Sequence, residues 1–367
     1  MPRPGACLLR HLSPLTSIVS LSFLLLATAT LSAQTPQAAP GALATPADQP
    51  GQPYTLHVYK RVVQVPTLVL TQDHKQYAKP IDAARFTVSL DSGPRFHPTR
   101  IRLEGDDPIS LSILLDVGGS QRDLLPALER NLAAWVSRSL KPQDRVSIYA
   151  VDCNLIRTAQ QLPPDPQLLT RQLHAALIST ATHRNRPHPA CGNAVPLWSS
   201  LITIMASQVD HPGRRVILGF TIGYNGASSL YWTDVRSAAA RTGISIYAFA
   251  QRAFIDISPA EARDREVFSE LCQSSGGLTE PIDPLELPKA LDNFTTMLRN
   301  RYILEFPVPF NPTSGSHSIR VDIAHLDAFI QPAGVDVALT DPALAKDPST
   351  IPTDESAAPK MGKHRPH

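Results

Sequence analysis

The sequence lacks an excess of charge of either sign. Of its 367 residues, 34 are Lys or Arg and 32 are Asp or Glu, which leaves a formal net charge of +2 at pH 7. A chain so nearly balanced cannot bind a polyphosphate through its overall charge. The composition therefore argues against a nucleic-acid partner.

The sequence also lacks the short motifs of common catalytic sites. It contains no Gly-x-Ser-x-Gly turn, no His-Glu-x-x-His helix, no Gly-x-x-x-x-Gly-Lys loop and no Gly-x-Gly-x-x-Gly fingerprint. Only four cysteines are present, and none form a Cys-x-x-Cys pair, which argues against a structural zinc site. We therefore expect a protein that is not an enzyme.

The first 33 residues have the pattern of a secretory signal peptide. Arg3 and Arg10 precede an apolar run, Leu15 to Leu31, and small residues follow at Ser32 and Ala33. The alternative is an uncleaved membrane anchor, but the run is shorter than the ~20 residues of a spanning helix. We expect a secreted or periplasmic protein, with a neutral mature chain that does not insert into a membrane.

The 35 prolines predict segments outside the folded core. Residues 34–53 are a linker rich in Pro and Ala, and residues 342–367 have the composition of a disordered tail. Residues 54–107 contain short β-branched runs separated by turn residues, which predict a small β module. Its expected strands are Leu56–Tyr59, Val62–Val65, Leu68–Leu70 and Phe86–Leu90.

From Ile109 onward, apolar strand patterns alternate with amphipathic helix patterns. This alternation predicts an α/β fold, a doubly wound and mostly parallel sheet of Rossmann-like type. Binding loops of such sheets lie at the carboxyl ends of the strands. Three loops are expected to converge there: Asp116–Ser120, Gly192–Asn193 and Ile222–Asn225.

At these residues the sequence resembles a von Willebrand factor A-type domain, over residues 108–306. Two segments, Pro108–Asp116 and Leu298–Leu304, resemble sequences of the secreted bacterial "VWFA-related" family. The similarity extends over about residues 54–337. After the domain, residues 307–341 are expected to form a C-terminal β excursion that packs on the β module.

The resemblance implies a metal-ion-dependent adhesion site, built from Asp-x-Ser-x-Ser, a Thr and a second Asp. Here the first loop reads Asp116-x-Gly118-x-Ser120, Asn193 stands at the threonine position and Ile222 at the second aspartate. Mg²⁺ demands near-ideal octahedral oxygen ligation, which this set does not supply. We expect a vestigial site of Asp116, Ser120 and Asn193, with no cofactor and with Asp116 bonded to loop amides and Ser120. A site that still binds Mg²⁺ is the alternative.

A basic loop between Ala181 and Asn193 contains His183, His188 and Cys191. Together with Asp116 these side chains could form the site of a metal-dependent hydrolase, since imidazole and thiolate bind transition metals. We favour instead a disulfide between Cys153, at the end of a strand, and Cys191. Cys272 lies on the apolar side of a helix and is expected to be a buried free thiol.

Side chains typical of protein interfaces occur on the same loops. They are Arg184, Arg186, Tyr224, Asn225, Tyr231 and Trp232. Because Arg, Tyr and Trp often anchor interfaces, we expect this rim to contact an unidentified protein partner. The alternative is a set of unrelated exposed residues. The sequence thus predicts a secreted, non-enzymatic interaction module with a degenerate cation site.

Overall fold

A six-stranded sheet with helices on both faces is the centre of the structure, which is a computed structural model. The described residues are 62–77, 79–117, 121, 123–184, 195–226, 228–252, 259–309, 315–337 and 358–363. All of them belong to the unit His57–His367. The predicted signal peptide and the 34–53 linker lie outside these residues and stay predictions.

The strands and helices follow one another along the chain in a regular order. The strands are β1 (Val62–Leu70), β2 (Phe86–Leu90), β3 (Arg100–Leu103), β4 (Ile109–Asp116), β5 (Arg145–Val151), β6 (Leu155–Leu162), β7 (Arg214–Phe220), β8 (Ser245–Gln251), β9 (Thr279–Ile282), β10 (Tyr302–Pro307), β11 (Gly315–His317), β12 (Ile319–Ile323), β13 (Phe329–Pro332) and β14 (Val335–Val337). The helices are α1 (Leu124–Ser139), α2 (Pro166–Arg184), α3 (Leu197–Gln208), α4 (Trp232–Thr242), α5 (Pro259–Ser274) and α6 (Leu287–Arg299). None of the helices in the described part is long and apolar enough to cross a membrane.

The large sheet has the strand order β6-β5-β4-β7-β8-β9, and every neighbouring pair except β5 and β6 is parallel. Strand β4 lies in the middle and is buried along its whole length. Its Leu111, Ile113 and Leu115 join the core under α1, α2 and α6, whereas Leu114 joins the core under α3, α4 and α5. The α/β class predicted from the alternating patterns is confirmed.

The edge strand β6 was not expected from the sequence. The chain turns back after Asp152 and runs antiparallel to β5, with an irregular register between Val146 and Tyr149. An edge strand is covered on one side only, and most of β6 is half-buried. Its residues therefore show neither the continuous apolar run of a central strand nor a regular alternation.

A second, smaller sheet has the order β13-β1-β10-β3 and is antiparallel throughout. Strand β1 is one continuous strand through Pro66, where two separate strands were expected. Residues 302–306 were placed at the end of the larger domain, but β10 pairs with β1 and β3 in the smaller sheet. The expected strand Leu56–Tyr59 lies outside the described residues.

The strands after β10 complete this smaller part of the fold. β12 pairs with β2, β13 with β1, and β11 with β14. The excursion was expected to pack on the β module, and part of it also reaches helix α4. The backbone of Gly334 is so close to Ala240 that a Cβ on Gly334 would collide with it. The absence of a side chain at this glycine therefore brings the excursion onto the larger domain.

Part of the predicted disordered tail has a defined position, which corrects that prediction for residues 358–363. The amide of Gly362 donates to the carbonyl of Leu90 at 3.1 Å, and Met361 packs against the apolar cluster of the smaller sheet. Composition alone does not reveal this contact, since a six-residue segment whose apolar residues are Ala358, Pro359 and Met361 has no periodic pattern. The rest of residues 342–367 lies outside the described part.

A buried ion pair joins the two sheets where the chain passes from α6 to β10. Arg301 Nε and Nη2 donate to the two carboxylate oxygens of Glu104 at 2.7 and 2.9 Å, and Nη1 donates to Ser245 Oγ at 3.0 Å. Both charged side chains are almost fully buried. Burial by itself lowers the pKa of the Arg301 guanidinium, but the charge of Glu104 and the bonds around it raise that pKa overall. The arginine therefore remains charged.

Breaking this pair is expected to be costly. We expect Arg301→Met to reduce the free energy of unfolding by about 3–5 kcal/mol, because the buried Glu104 carboxylate loses both hydrogen bonds from the guanidinium and keeps only the Arg214 Nε at 4.0 Å. Urea unfolding measures this. The double change Arg301→Met with Glu104→Leu should recover most of the loss, and a double variant no more stable than the single one would contradict the prediction.

The matched control is the exposed pair of Arg138 and Asp292, whose atoms lie 3.1 Å apart with both side chains about half exposed. Arg138→Ala should cost less than about 1 kcal/mol, because solvent screens such pairs.

Candidate functional site

The carboxyl ends of β4 and β7 lie side by side, with Leu115 opposite Phe220. Asp116 ends β4, and Thr221 directly follows β7. The Thr221 hydroxyl donates to Asp116 Oδ2 at 2.9 Å, and the Gly223 amide donates to the same hydroxyl at 3.1 Å. Asp116 and Thr221 are 2% and 1% exposed. This carboxylate therefore holds two neighbouring strand ends together.

The sequence pattern predicted that Asp116 bonds to loop amides and Ser120, and it did not predict the bond from Thr221. The sequence does contain a feature that could have identified Thr221 as a site residue. It is a hydroxyl residue placed directly after the apolar run of β7 and directly before Ile222. Ile222 is half-buried and has no ligand atom in its side chain. Ser120 and Asn193 lie outside the described residues, so the three-part vestigial site stays a prediction.

Within the residues that the structure describes, no three side chains of His, Cys, Asp or Glu are grouped to hold a metal ion. Of the proposed hydrolase residues, His188 and Cys191 lie outside this part. His183 was expected in a loop, but α2 continues to Arg184. The helix runs on because the first proline after it is Pro187, so nothing earlier breaks the backbone hydrogen bonds.

Of the four cysteines, Cys153 and Cys272 lie among the described residues. Cys153 is disulfide-bonded, but its partner is not among the described residues, and Cys191 is not among them either. The Cys153–Cys191 pair therefore stays a prediction. Cys272 is a free thiol and fully buried, and this burial raises its pKa well above the ordinary range. The thiol is accordingly protonated at neutral pH.

The loop between β7 and α4 caps helix α3. Pro196, which precedes α3, makes no side-chain cap, so the first amides of the helix need acceptors from elsewhere. Asn225 Oδ1 accepts from the amide of Trp198 at 3.2 Å, and Ser228 Oγ accepts from that of Ser199 at 3.0 Å. Asn225, predicted as a contact residue, thus has a structural contact within the protein.

The same loop is also tied to helix α5. The amide of Asn225 donates to Asp264 Oδ2 at 3.2 Å. Gly223 has a φ of +87°, and a Cβ on it would lie 2.5 Å from the Cβ of Phe268. Only glycine fits, because both the backbone angle and the aromatic neighbour exclude a side chain. The loop is therefore fixed at three points along its length.

The rim residues differ in how far they face solvent. Tyr231 is 74% exposed, and its amide donates to Asp234 Oδ2 at 2.9 Å. Trp232 packs partly against the core, and the Arg236 guanidinium carbon lies 4.8 Å from the centroid of its ring. Tyr224 is half-buried. Arg236 was not among the contact residues predicted from the sequence.

The side chains of Arg184 and Arg186 lie outside the described part. Their contact role stays a prediction, as does that of the other rim residues.

No protein-family model matches this chain, and no curated protein matches it. Solved structures with low identity are similar over about half of the chain. BatB from Bacteroides thetaiotaomicron is 15% identical, with 52% of this chain and 98% of that chain covered and a TM-score of 0.39. The pilus adhesin SpaC from Lactobacillus rhamnosus GG is 12% identical, with 62% and 36% covered and a TM-score of 0.40.

Proximal thread matrix protein 1 from the mussel byssus, solved with a zinc-occupied MIDAS motif, is 10% identical. The similar region covers 53% of this chain and 49% of the byssus protein, with a TM-score of 0.36. TM-scores this low add nothing to the description of the site, which stands on the contacts above.

A methyl group at Gly223 should loosen the site. We expect Gly223→Ala to reduce the free energy of unfolding by about 1–3 kcal/mol. Alanine at this position would have a strained positive φ, and its Cβ would collide with Phe268. Gly243 is the matched control: it also has a positive φ, +63°, but an added Cβ there would meet nothing within 4 Å. Urea unfolding should give a larger loss for Gly223→Ala than for Gly243→Ala, and equal losses would contradict the packing argument.

Proposed function

We propose that the protein is a secreted, non-enzymatic interaction module of the von Willebrand A type, which contacts a protein partner through the rim around Tyr231. One observation carries the proposal: an aromatic side chain, 74% exposed, stands on a backbone held by Asp234 at the carboxyl edge of the sheet. The signal-like N-terminus supports secretion.

Fixed aromatic side chains suit protein contacts for a thermodynamic reason. Tyr and Trp bury a large area, and a side chain whose backbone is already held loses little freedom on binding. Tyr231 begins at such a fixed position. Next to Tyr231, the Arg236 guanidinium lies over the Trp232 ring, and this contact holds the Arg236 and Trp232 side chains together. Trp232 and Arg236 thus form a small preorganised pair beside the exposed Tyr231.

The proposal includes direct contact, without a bridging cation. Support comes from the use of the Asp116 carboxylate, which accepts the buried Thr221 hydroxyl. Where the resembled family places a second aspartate, Ile222 brings an alkyl group instead of two oxygen ligands. Mg²⁺ bound here would lack a carboxylate and face an apolar neighbour.

Photo-crosslinking from the rim tests the contact directly. With p-benzoylphenylalanine in place of Tyr231, irradiation of cultures of the native host should give a discrete crosslinked protein, because the side chain faces a bound partner. The control is the same group at Val209, an exposed residue between α3 and β7, at the opposite edge of the sheet. The adduct should be absent there. No adduct at position 231, or the same adduct at both positions, would overturn the proposal.

Thermal melting with Mg²⁺ and with a chelator tests the absence of a cation site. We expect the same Tm in both, because only a ligand that binds the folded state raises stability, by about 2.7 kcal/mol at a hundredfold excess over Kd. The matched variant is Asp116→Asn, which keeps an acceptor for Thr221 but loses the charge. A rise in Tm with Mg²⁺ that Asp116→Asn abolishes would show a working cation site instead.

A further inference from the structure

The C-terminal segment 358–363 lies against the turn that follows β2. The carbonyl of Leu90 accepts two hydrogen bonds there, one from the amide of Gly93 at 2.8 Å and one from that of Gly362 at 3.1 Å. Pro359 is buried. A segment from the far end of the chain thus adds its own hydrogen bond to a turn that is already closed.

Two glycines make this approach possible. A Cβ on Gly93 would lie 2.6 Å from the Gly362 nitrogen and 2.8 Å from the Lys360 carbonyl oxygen. A Cβ on Gly362 would collide with the carbonyl oxygen of Asp91. The two backbones are therefore in direct contact, and a side chain on either glycine would separate them.

An apolar side chain anchors the segment beside the glycine contact. Met361 packs against the cluster of the smaller sheet, whose buried members include Val88, Leu90 and Phe306. Thioether side chains adapt to irregular apolar surfaces, so methionine suits a contact of this kind. The segment is thus held by the Met361 side chain, the Gly362 amide and the close glycine contact, with Pro359 buried beside them.

The turn that receives the segment has a shape imposed by its surroundings. Asp91 and Ser92 both have left-handed backbones, with φ of +48° and +59°, which is unfavourable for residues with a side chain. The Asp91 carboxylate accepts from the amide of Ser318 at 2.9 Å and lies 2.6 Å from His317 Nδ1. These bonds hold the turn to the start of β12, independently of the C-terminal segment.

We propose that this surface, residues 88–93 with the start of β12, is a docking groove whose occupant is the chain's own segment, residues 358–363. Twenty residues, 338–357, connect β14 to the segment. A tether of this length gives a high effective concentration, so a small contact suffices to keep the groove filled. The same small contact lets the segment leave, which makes it a reversible plug.

The test uses the full chain and a labelled peptide. Gly362→Val should release the segment, and Lys363→Ala, at an exposed neighbouring residue, is the matched control. The probe is a fluorescein-labelled peptide of residues 355–367, followed by fluorescence anisotropy. We expect saturable binding to the Gly362→Val chain and an apparent Kd about tenfold weaker or more for the wild type and Lys363→Ala, whose grooves are filled. The labelled peptide with Gly362→Val should bind none of the three.

Hydrogen exchange provides a second measurement without the probe. The Gly362 amide should be protected in the wild type and in Lys363→Ala, and segment 358–363 should lose its protection in Gly362→Val. The rest of the chain should stay folded, with only a small fall in Tm, because the docked segment stabilises the folded state. Equal affinity of the peptide for all three chains, no binding to Gly362→Val, or an unprotected wild-type segment would each overturn the proposal. A wild-type dimer that Gly362→Val converts to a monomer would overturn docking within one chain, because the segment would then come from a second copy.

Discussion

Arg301 stands where the chain leaves helix α6 of the larger domain and enters strand β10 of the smaller sheet. A guanidinium buried at such a junction needs a carboxylate, and Glu104, at the end of β3, supplies both oxygens. The neighbouring backbones are joined as well, since the amide of Glu104 donates to the carbonyl of Arg301 at 2.8 Å. The pair therefore sets where the smaller sheet lies relative to the larger one.

A second carboxylate works in a similar way beside this junction. Asp144 accepts from the amides of Ile109 and Lys141 at 3.0 and 2.7 Å, and its other contact is with the Arg299 guanidinium. These bonds fix the amino end of β4 to the turn before β5. At the opposite end of β4, Asp116 accepts from Thr221. The central strand is thus held by a carboxylate at each end.

How far the sequence could predict the site depended on how local each contact is. The position of Tyr231 at the edge followed from the alternation of strands and helices, a pattern written in adjacent residues. The role of Asn225 could not be predicted in this way. Its side-chain oxygen accepts from the first turn of a helix that begins 28 residues earlier in the chain, at Leu197. Strand β6 was missed for a related reason, since an edge strand covered on one side has a weak apolar pattern. The docked segment at Gly362 was missed because its hydrogen bond and its glycine contacts are with backbone atoms, which no residue pattern records.

The sequence by itself determined the α/β class, the buried central strand and the edge at which the loops gather, because burial on two faces requires continuous apolar runs and helices require a 3.6-residue period. It also places Ile222, whose side chain has no ligand atom, directly after Thr221. Only the tertiary structure decided that Thr221 binds Asp116, that Glu104 neutralises Arg301 and that the chain end reaches Leu90. Each of these joins residues distant in the chain, and their pairing depends on how the sheets and loops pack, not on any local period.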